Sequence, residues 1–313
     1  ISRSFGLNIG AAVGISLYFS QAISVAFYII AFAEAFKPLL FYLQETVGMN
    51  LPDDPRWISL PTMGVLSFLV LSRGANVGMK ALYGVVFILG VSLIMFFAGS
   101  PDSKPETNAL YSGIDLPVNF FFVFAIIFPA FTGLAAGLGL SGDLKDPKKS
   151  IPRGTLYATL VGIIVYIAVA YKLAISASPE DLASDYLIMQ RIALWGPIIP
   201  IGLAAASLSS AIGSILVAPR TLQAIGADDI IPKKSIGRFF AKLMPESEEP
   251  RNASIVSVLI AFVFIALGNI DMVAQIISMF FMVTYGAICL VSLLENFAAD
   301  PSYRPTFRSR WYI

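Results

Sequence analysis

Long runs of apolar residues, interrupted by short charged segments, divide the chain into eight stretches. A helix that crosses a bilayer needs about 17–25 mainly apolar residues, and most of these stretches approach or reach that length. Inside lipid a helix satisfies its own backbone hydrogen bonds, so the pattern predicts an all-α membrane protein. The predicted spans cover residues 9–36, 57–71, 79–97, 118–140, 155–175, 197–217, 254–267 and 272–294.

The charged residues between the spans alternate in sign along the chain. Cytoplasmic loops of membrane proteins are enriched in Lys and Arg. The segments after the second, fourth, sixth and eighth spans are basic, whereas the intervening ones are mainly acidic. This alternation supports eight spans and predicts that both termini of the chain are cytoplasmic. The basic positions are Arg73, Lys80, Lys145, Lys148, Lys149, Arg153, Arg220, Lys233, Lys234, Arg238, Lys242, Arg251, Arg304, Arg308 and Arg310.

Composition agrees with a membrane protein and argues against an enzyme. Apolar residues make up 57% of the chain and charged residues 13%, while soluble domains have about 45–50% and 25%. The chain has no His, which excludes His-based acid–base catalysis, and its single Cys cannot form an internal disulfide. The net charge of +1 gives no reason to expect a nucleic-acid partner.

The fourth span contains a predicted helix break, which is the strongest candidate for a functional site. Pro129 removes a backbone donor in mid-span, and Gly133, Gly137 and Gly139 follow it closely. Broken membrane helices place ion sites near the bilayer midplane in secondary transporters. Free N–H groups after the break suit an anion, and free carbonyls before it suit a cation. The alternative is a proline kink with small residues packed between helices.

The sixth span carries two adjacent serines, Ser209 and Ser210, within a run of alanines. Their hydroxyls offer oxygen ligands to a hard cation such as sodium. Hydroxyls in membrane helices also bond back to their own helix or bridge two helices, so packing is the alternative interpretation.

Three further polar side chains lie inside the spans. A membrane carboxylate such as Glu34 is costly and is a functional candidate by default. No partner cation within the chain is obvious from the sequence, so Glu34 is expected to pair with a residue outside it. The alternative is a carboxylate that reaches the interface. Tyr28 and Tyr285 need partners for their hydroxyls, and as isolated residues they are more often found bridging helices than binding ions.

Three stretches together resemble the cation–chloride cotransporter family of the amino acid–polyamine–organocation superfamily. One is the Pro129 region, FAIIFPAFTG over residues 124–133, with the loop SGDLKDPKKSIPRGT over residues 141–155. Another runs from Ser209 through Ala218-Pro219-Arg220 to residues 229–232. The last is NFAA with PSYRP, residues 296–299 and 301–305. Amino acid permeases share a looser form of the loop.

The resemblance implies a fragment of a five-plus-five inverted-repeat fold. The eight spans would be family helices three to ten, with the fourth span as the broken sixth helix. Residues 1–313 would then be a partial transmembrane domain that lacks the first two helices, the last helices and the cytoplasmic domain. Since the chain starts at Ile1 and stops without a polar tail, it is interpreted as part of a longer protein.

The resemblance also implies roles for individual residues. Each set is expected to be completed by the absent first helix, and the ions are expected to be the only metals bound. A potassium site would use Tyr28, Pro129 and Thr132; a sodium site Ala206, Ser209 and Ser210; a chloride site Gly133, Leu134, Ala135 and Tyr285; and the outer gate Glu34.

The expected function is symport of chloride with sodium and potassium by alternating access, without a cofactor. Potassium–chloride members of the family lack the second serine, and sodium–chloride members lack the tyrosine. A potassium–chloride cotransporter, an amino acid or amine permease, and a receptor of the same fold without transport remain alternatives. The expected surroundings are the plasma membrane, with the bilayer, the inorganic ions, the absent helices and a second copy in a homodimer as partners.

Overall fold

A computed structural model gives the fold of the chain. It describes residues 5–38, 54–73, 78–101, 119–133, 146–228, 231–243 and 250–298, with the single positions 40, 44, 48 and 144.

The chain is an all-α membrane protein, with eight apolar helices near the predicted positions in its described part. Four of them (α1, α5, α8 and α11) are long and apolar enough to cross a membrane, and four (α2, α3, α4 and α10) are shorter. The helices are α1 (Leu7–Glu34), α2 (Arg56–Arg73), α3 (Gly78–Ala98), α4 (Phe120–Ile127), α5 (Pro147–Ser176), α6 (Pro179–Ser184), α7 (Ile188–Ile192), α8 (Ile198–Ala227), α9 (Lys234–Ala241), α10 (Arg251–Leu267) and α11 (Ile270–Ala298).

The core surrounds α1, which packs against α2, α8, α10 and α11. Ile23, Val25, Ile29 and Ile30 of α1 are almost fully buried, and small residues on α8 allow close approach. The direction of α8 follows from its contacts. A Cβ at Gly14 would lie 3.3 Å from Ile225, while residues later in α1 share a cluster with earlier residues of α8, so the two helices are antiparallel. The main core cluster comprises Ile23, Val25, Ala26, Ile29, Ile30, Met63, Leu66, Ala211, Ile215, Val258, Ala261, Ile265, Val273, Ile277 and Phe281.

Two long helices extend beyond the predicted spans at their polar ends. The predicted fifth span begins at residue 155, but α5 begins at Pro147, where the missing proline N–H costs nothing in the first turn. The predicted sixth span ends at residue 217, but α8 continues through Pro219 to Ala227. Leu222 and Ile225 on this extension are buried against α1, and that packing offsets the backbone hydrogen bond that proline removes.

Two short helices, α6 and α7, lie in the segment that the sequence pattern predicts to be an acidic loop. The Ser178 side chain caps α6 by accepting a hydrogen bond from the Asp181 amide. The same hydroxyl donates to the Asp181 carboxylate at 2.8 Å, and this bond, with the nearby Arg191, lowers the pKa of Asp181. Arg191 of α7 lies 3.4 Å from Asp181 and 3.7 Å from Asp185, so charge pairs join the two helices.

The third short helix, α9, lies in the basic segment between the sixth and seventh spans, which the sequence analysis treats as a loop. It packs against the end of α8, where Gly226 and Gly237 allow the two backbones to approach. A Cβ at Gly226 would lie 2.7 Å from the Gly237 carbonyl oxygen. Phe240 reaches the second core cluster, whereas Lys234 and Arg238 face outward.

The end of α3 is held by close backbone contacts with α7 and by a lysine of α5. The Leu194 amide donates to the Met95 carbonyl at 3.0 Å. A Cβ at Gly99 would overlap the Ile192 carbonyl oxygen, so only glycine fits there. The Lys172 ammonium donates to the Gly99 carbonyl at 2.8 Å and so neutralises part of the negative end of α3.

Candidate functional site

The α-helical backbone of the fourth span ends near Pro129, as the sequence predicts. Helix α4 stops at Ile127, and a 3₁₀ turn over Phe128–Phe131 follows it. Thr132 is extended, with φ −90° and ψ 177°, and Gly133 has φ 114°, a conformation that disfavours other residues. The break itself is therefore confirmed. The continuation of this span, including Leu134 and Ala135, lies outside the described residues.

The three residues proposed for potassium lie together at this break. The Pro129 carbonyl accepts two hydrogen bonds from Thr132, one from its amide at 3.1 Å and one from its hydroxyl at 2.7 Å. The Tyr28 side chain of α1 lies near the Thr132 side chain. A carbonyl oxygen has two lone pairs, so both are in use here. A cation that binds the Pro129 oxygen must therefore turn the Thr132 hydroxyl away from it.

Two of the four residues proposed for chloride are in contact. The Gly133 amide donates a hydrogen bond to the Tyr285 hydroxyl at 3.3 Å. Tyr285 stacks on Phe281 of the same helix, with ring centroids 5.7 Å apart, and this contact steadies the phenol beside the break. An anion placed between the amide and the hydroxyl could accept a hydrogen bond from both.

Two residues that sequence reasoning missed also contact the break. The Tyr166 hydroxyl of α5 donates to the Ala130 carbonyl at 2.8 Å. The Tyr166 ring packs on the Phe131 ring, with the ring centroids 4.8 Å apart. The Ser278 hydroxyl of α11 lies 2.5 Å from the Ala125 carbonyl and 2.8 Å from the Ala274 carbonyl of its own helix, so its single hydrogen is shared between them or donated to the nearer Ala125 oxygen. Neither residue lies in a motif. Only the general need of a buried hydroxyl for a partner would have drawn attention to them.

Three tyrosine side chains from three helices thus meet at the break. Tyr166 and Tyr285 are both close enough to Tyr28 to interact with it electrostatically. The resulting group combines three phenol oxygens with the Pro129 and Ala130 carbonyls and the Gly133 amide. Such a surface offers oxygen ligands to a cation and hydrogen-bond donors to an anion.

Ala206, Ser209 and Ser210, proposed for sodium, lie in the uninterrupted helix α8. Within the described ranges neither serine hydroxyl forms a hydrogen bond with another residue, whereas Ser24, Ser67 and Ser254 of neighbouring helices bond back to carbonyls one turn earlier. In a regular helix adjacent side chains diverge by about 100°, so α8 alone cannot direct all three oxygens at one ion. A complete site needs ligands from another helix.

Glu34 has a partner in its own chain, which corrects the expectation drawn from the sequence. The Lys37 ammonium forms an ion pair with the Glu34 carboxylate. Helix α1 ends at Glu34, and the following turn at Ala35 and Phe36 brings the lysine three positions on within reach. Because the predicted first span ends at residue 36, Lys37 falls in the following loop, and the sequence pattern did not indicate it as the partner of Glu34.

Comparison with known proteins gives the family. The sequence profile of the amino acid permeases matches residues 1–312. The chain belongs to the amino acid permease family. The curated relatives confirm its resemblance to the cation–chloride cotransporters of the amino acid–polyamine–organocation superfamily.

Relatives from several animals match nearly the whole chain. Solute carrier family 12 member 1 of Mus musculus is 29% identical over 98% of the chain, and solute carrier family 12 member 2 of Squalus acanthias is 31% identical over 98%. The bumetanide-sensitive sodium-(potassium)-chloride cotransporter of Manduca sexta is 28% identical over 98%. The chain spans about a third of the length of these relatives, namely 32%, 30% and 34%.

Proposed function

We propose that the protein containing this chain carries chloride together with sodium and potassium across the plasma membrane by alternating access. The observation that carries the proposal is the break after α4, where Tyr28, Thr132, Gly133 and Tyr285 meet. The Manduca sexta relative is named as a sodium-(potassium)-chloride cotransporter, and its similarity to this chain supports the same choice of ions.

The cation chemistry follows from the oxygens at the break. Potassium is a hard cation that takes oxygen ligands, and the carbonyl of Pro129 with the hydroxyls of Thr132 and Tyr28 supplies three of them. Without the ion these groups bond to one another, so the Pro129 carbonyl keeps hydrogen-bond partners. Binding would exchange those hydrogen bonds for ion contacts. That exchange allows an ion to be held firmly and still to be released.

The anion chemistry follows from the groups on the other side of the break. The Gly133 amide and the Tyr285 hydroxyl are both donors, and one satisfies the other in the absence of an anion. Chloride would accept from both, and we propose that the amides of Leu134 and Ala135 add to this set. A cation and an anion bound a few ångströms apart neutralise each other, which lowers the cost of holding charge in the membrane.

Sodium is assigned to Ala206, Ser209 and Ser210. The support is the absence, in the described part of the chain, of any hydrogen-bond partner for the two hydroxyls, which leaves their lone pairs available. Helices outside this chain would supply the remaining sodium ligands and an outer-gate partner for Glu34, which Lys37 now contacts. We also propose cytoplasmic termini for this part of the protein and assembly as a homodimer.

A permease for amino acids or amines is the second candidate, because the amino acid permease profile matches residues 1–312. A potassium–chloride cotransporter is a third, and it differs only in making no use of the two serines. All three candidates would bind their solutes at the break after α4. They differ in which solutes must be present together for transport.

The test is uptake by the purified full-length protein in liposomes. Radiolabelled chloride uptake is measured with sodium and potassium both present and with each replaced by an organic cation. We expect uptake to require both cations. Uptake that needs potassium alone would favour a potassium–chloride cotransporter. Uptake of labelled amino acids without a chloride requirement would overturn the proposal.

A further inference from the structure

The break after α4 leaves backbone carbonyls without their helical partners, and two side chains occupy them. In an α-helix the carbonyl of a residue accepts from the amide four positions later. The partner of the Ala125 carbonyl would be the nitrogen of Pro129, which carries no hydrogen. The Ser278 hydroxyl of α11 takes the place of that missing donor at 2.5 Å, closer than the Ala274 carbonyl of its own helix at 2.8 Å. Ser278 is fully buried, so water does not compete for its hydroxyl.

The Ala130 carbonyl is the second such group. Helical structure ends at Phe131, so this carbonyl lies in the last turn, where carbonyls lack intrahelical partners. The Tyr166 hydroxyl of α5 donates to it at 2.8 Å, and the Tyr166 ring packs on the neighbouring Phe131. A side chain from α5 and one from α11 therefore hold the broken segment on either side of Pro129.

We propose that Tyr166 and Ser278 are positioning residues of the ion site: they occupy the Ala125 and Ala130 carbonyls and so leave the Pro129 carbonyl to face the cation. The inference rests on the proposed function, since it concerns the same site. Pro129 lies between the two anchored carbonyls, and among the described residues its own carbonyl accepts hydrogen bonds from Thr132 alone.

The geometry links these anchors to the groups that contact the ion. Pro129, Thr132 and Gly133 lie within five residues. The Thr132 side chain contacts Tyr28, and the Gly133 amide contacts Tyr285. A segment this short without helical hydrogen bonds keeps its geometry only if something outside it fixes its ends. Release of the Ala130 carbonyl would let Thr132 and Gly133 shift relative to the two tyrosines. Ion contacts depend steeply on such shifts, so affinity should fall before folding does.

The experiment uses Tyr166→Phe in the full-length protein, which removes the hydroxyl and keeps the ring on Phe131. Tyr171→Phe is the matched control, because Tyr171 is an exposed residue of the same helix. Ser278→Ala is the second variant, with the exposed Ser292 of α11 changed to alanine as its control. Three properties are measured for each: the half-saturating potassium concentration for chloride uptake, hydrogen exchange of the amides in residues 120–133, and the melting temperature.

We expect Tyr166→Phe to raise the half-saturating potassium concentration about three- to tenfold, the range set by one lost hydrogen bond. Exchange in residues 120–133 should quicken by a similar factor, with the melting temperature close to that of Tyr171→Phe. Ser278→Ala should act in the same direction.

The exchange measurement separates this inference from the proposed function. If the wild-type protein carries no chloride-coupled cation, the proposed function fails, and exchange alone then decides whether the two hydroxyls anchor the segment. Exchange equal to that of the controls overturns the inference whichever solutes are carried. Faster exchange with an unchanged half-saturating potassium concentration also overturns it, because the bonds would then only stabilise the fold.

Discussion

At Tyr28, removal of the hydroxyl oxygen alone distinguishes a role in ion binding from a role in packing. Its ring packs against the main core cluster, while its hydroxyl lies near Thr132. Tyr28→Phe keeps the ring and removes the oxygen. We expect the half-saturating potassium concentration to rise about tenfold, which corresponds to about 1.4 kcal/mol, with a smaller change for sodium. Chloride uptake at varied potassium and sodium concentrations measures both.

Tyr18→Phe is the control, since Tyr18 is a buried tyrosine of the same helix whose hydroxyl contacts Ser257 rather than the break. An equal effect of both substitutions on potassium would assign Tyr28 to packing.

The paired serines of α8 allow a second test. Ser209→Ala with Ser210→Ala should reduce the sodium dependence of uptake and change the free energy of unfolding by less than about 0.5 kcal/mol, because the hydroxyls make no hydrogen bond to a described residue. Ser214→Ala, one turn later, is the control. A lower melting temperature with sodium dependence intact would show that the serines join helices instead.

At the scale of residues, sequence reasoning found the groups that lie in motifs and missed those that contact them. Pro129 and Thr132 are visible because a proline inside a span is rare and has a definite consequence for the backbone. Tyr166 and Ser278 are recognised only once α5 and α11 lie beside the break. The partner of Glu34 was missed because the position of the helix end was not predicted. The helix ends at Glu34, and the turn that follows brings the Lys37 ammonium into contact with the Glu34 carboxylate.

The elements themselves were predictable wherever apolar residues are continuous. Membrane spans and the break follow from composition and from one proline, whereas α6, α7 and α9 lie in polar segments where the apolar pattern is short. Their formation depends on caps and contacts, such as the Ser178 cap and the close approach of Gly226 to Gly237. The extension of α8 through Pro219 likewise depends on packing against α1.

Gly99 provides a prediction at this scale. Gly99→Ala should destabilise the protein by about 2–3 kcal/mol, because its Cβ would overlap the Ile192 carbonyl oxygen, which belongs to the backbone and cannot rotate away as a side chain can. Gly90→Ala in the preceding helix α3, with no atom within 4 Å of its Cβ, should be neutral or stabilising by up to about 1 kcal/mol. Thermal unfolding in detergent compares the two. Equal melting temperatures would show that α3 and α7 do not pack in this way.

For the whole molecule, the sign of the loop charges predicts the topology. Cysteines placed at positions 104 and 148 should react with membrane-impermeant reagents from opposite sides, once the exposed native Cys289 has been replaced by serine. Position 148 should be labelled only from the cytoplasmic side. Labelling of both positions from one side would contradict the eight-span arrangement with cytoplasmic termini.

The central claim is that the ions bind at the break after α4, and chloride-dependent thermal stability tests it most directly. A ligand that binds only the folded protein raises the melting temperature as its concentration rises above the dissociation constant. The melting temperature of the wild-type protein is measured with chloride and with a large organic anion in its place, beside Tyr285→Phe. We expect chloride to stabilise the wild-type protein and to stabilise Tyr285→Phe much less, because the phenol donor beside Gly133 is gone. Equal stabilisation of both proteins by chloride would place the anion elsewhere and contradict the account.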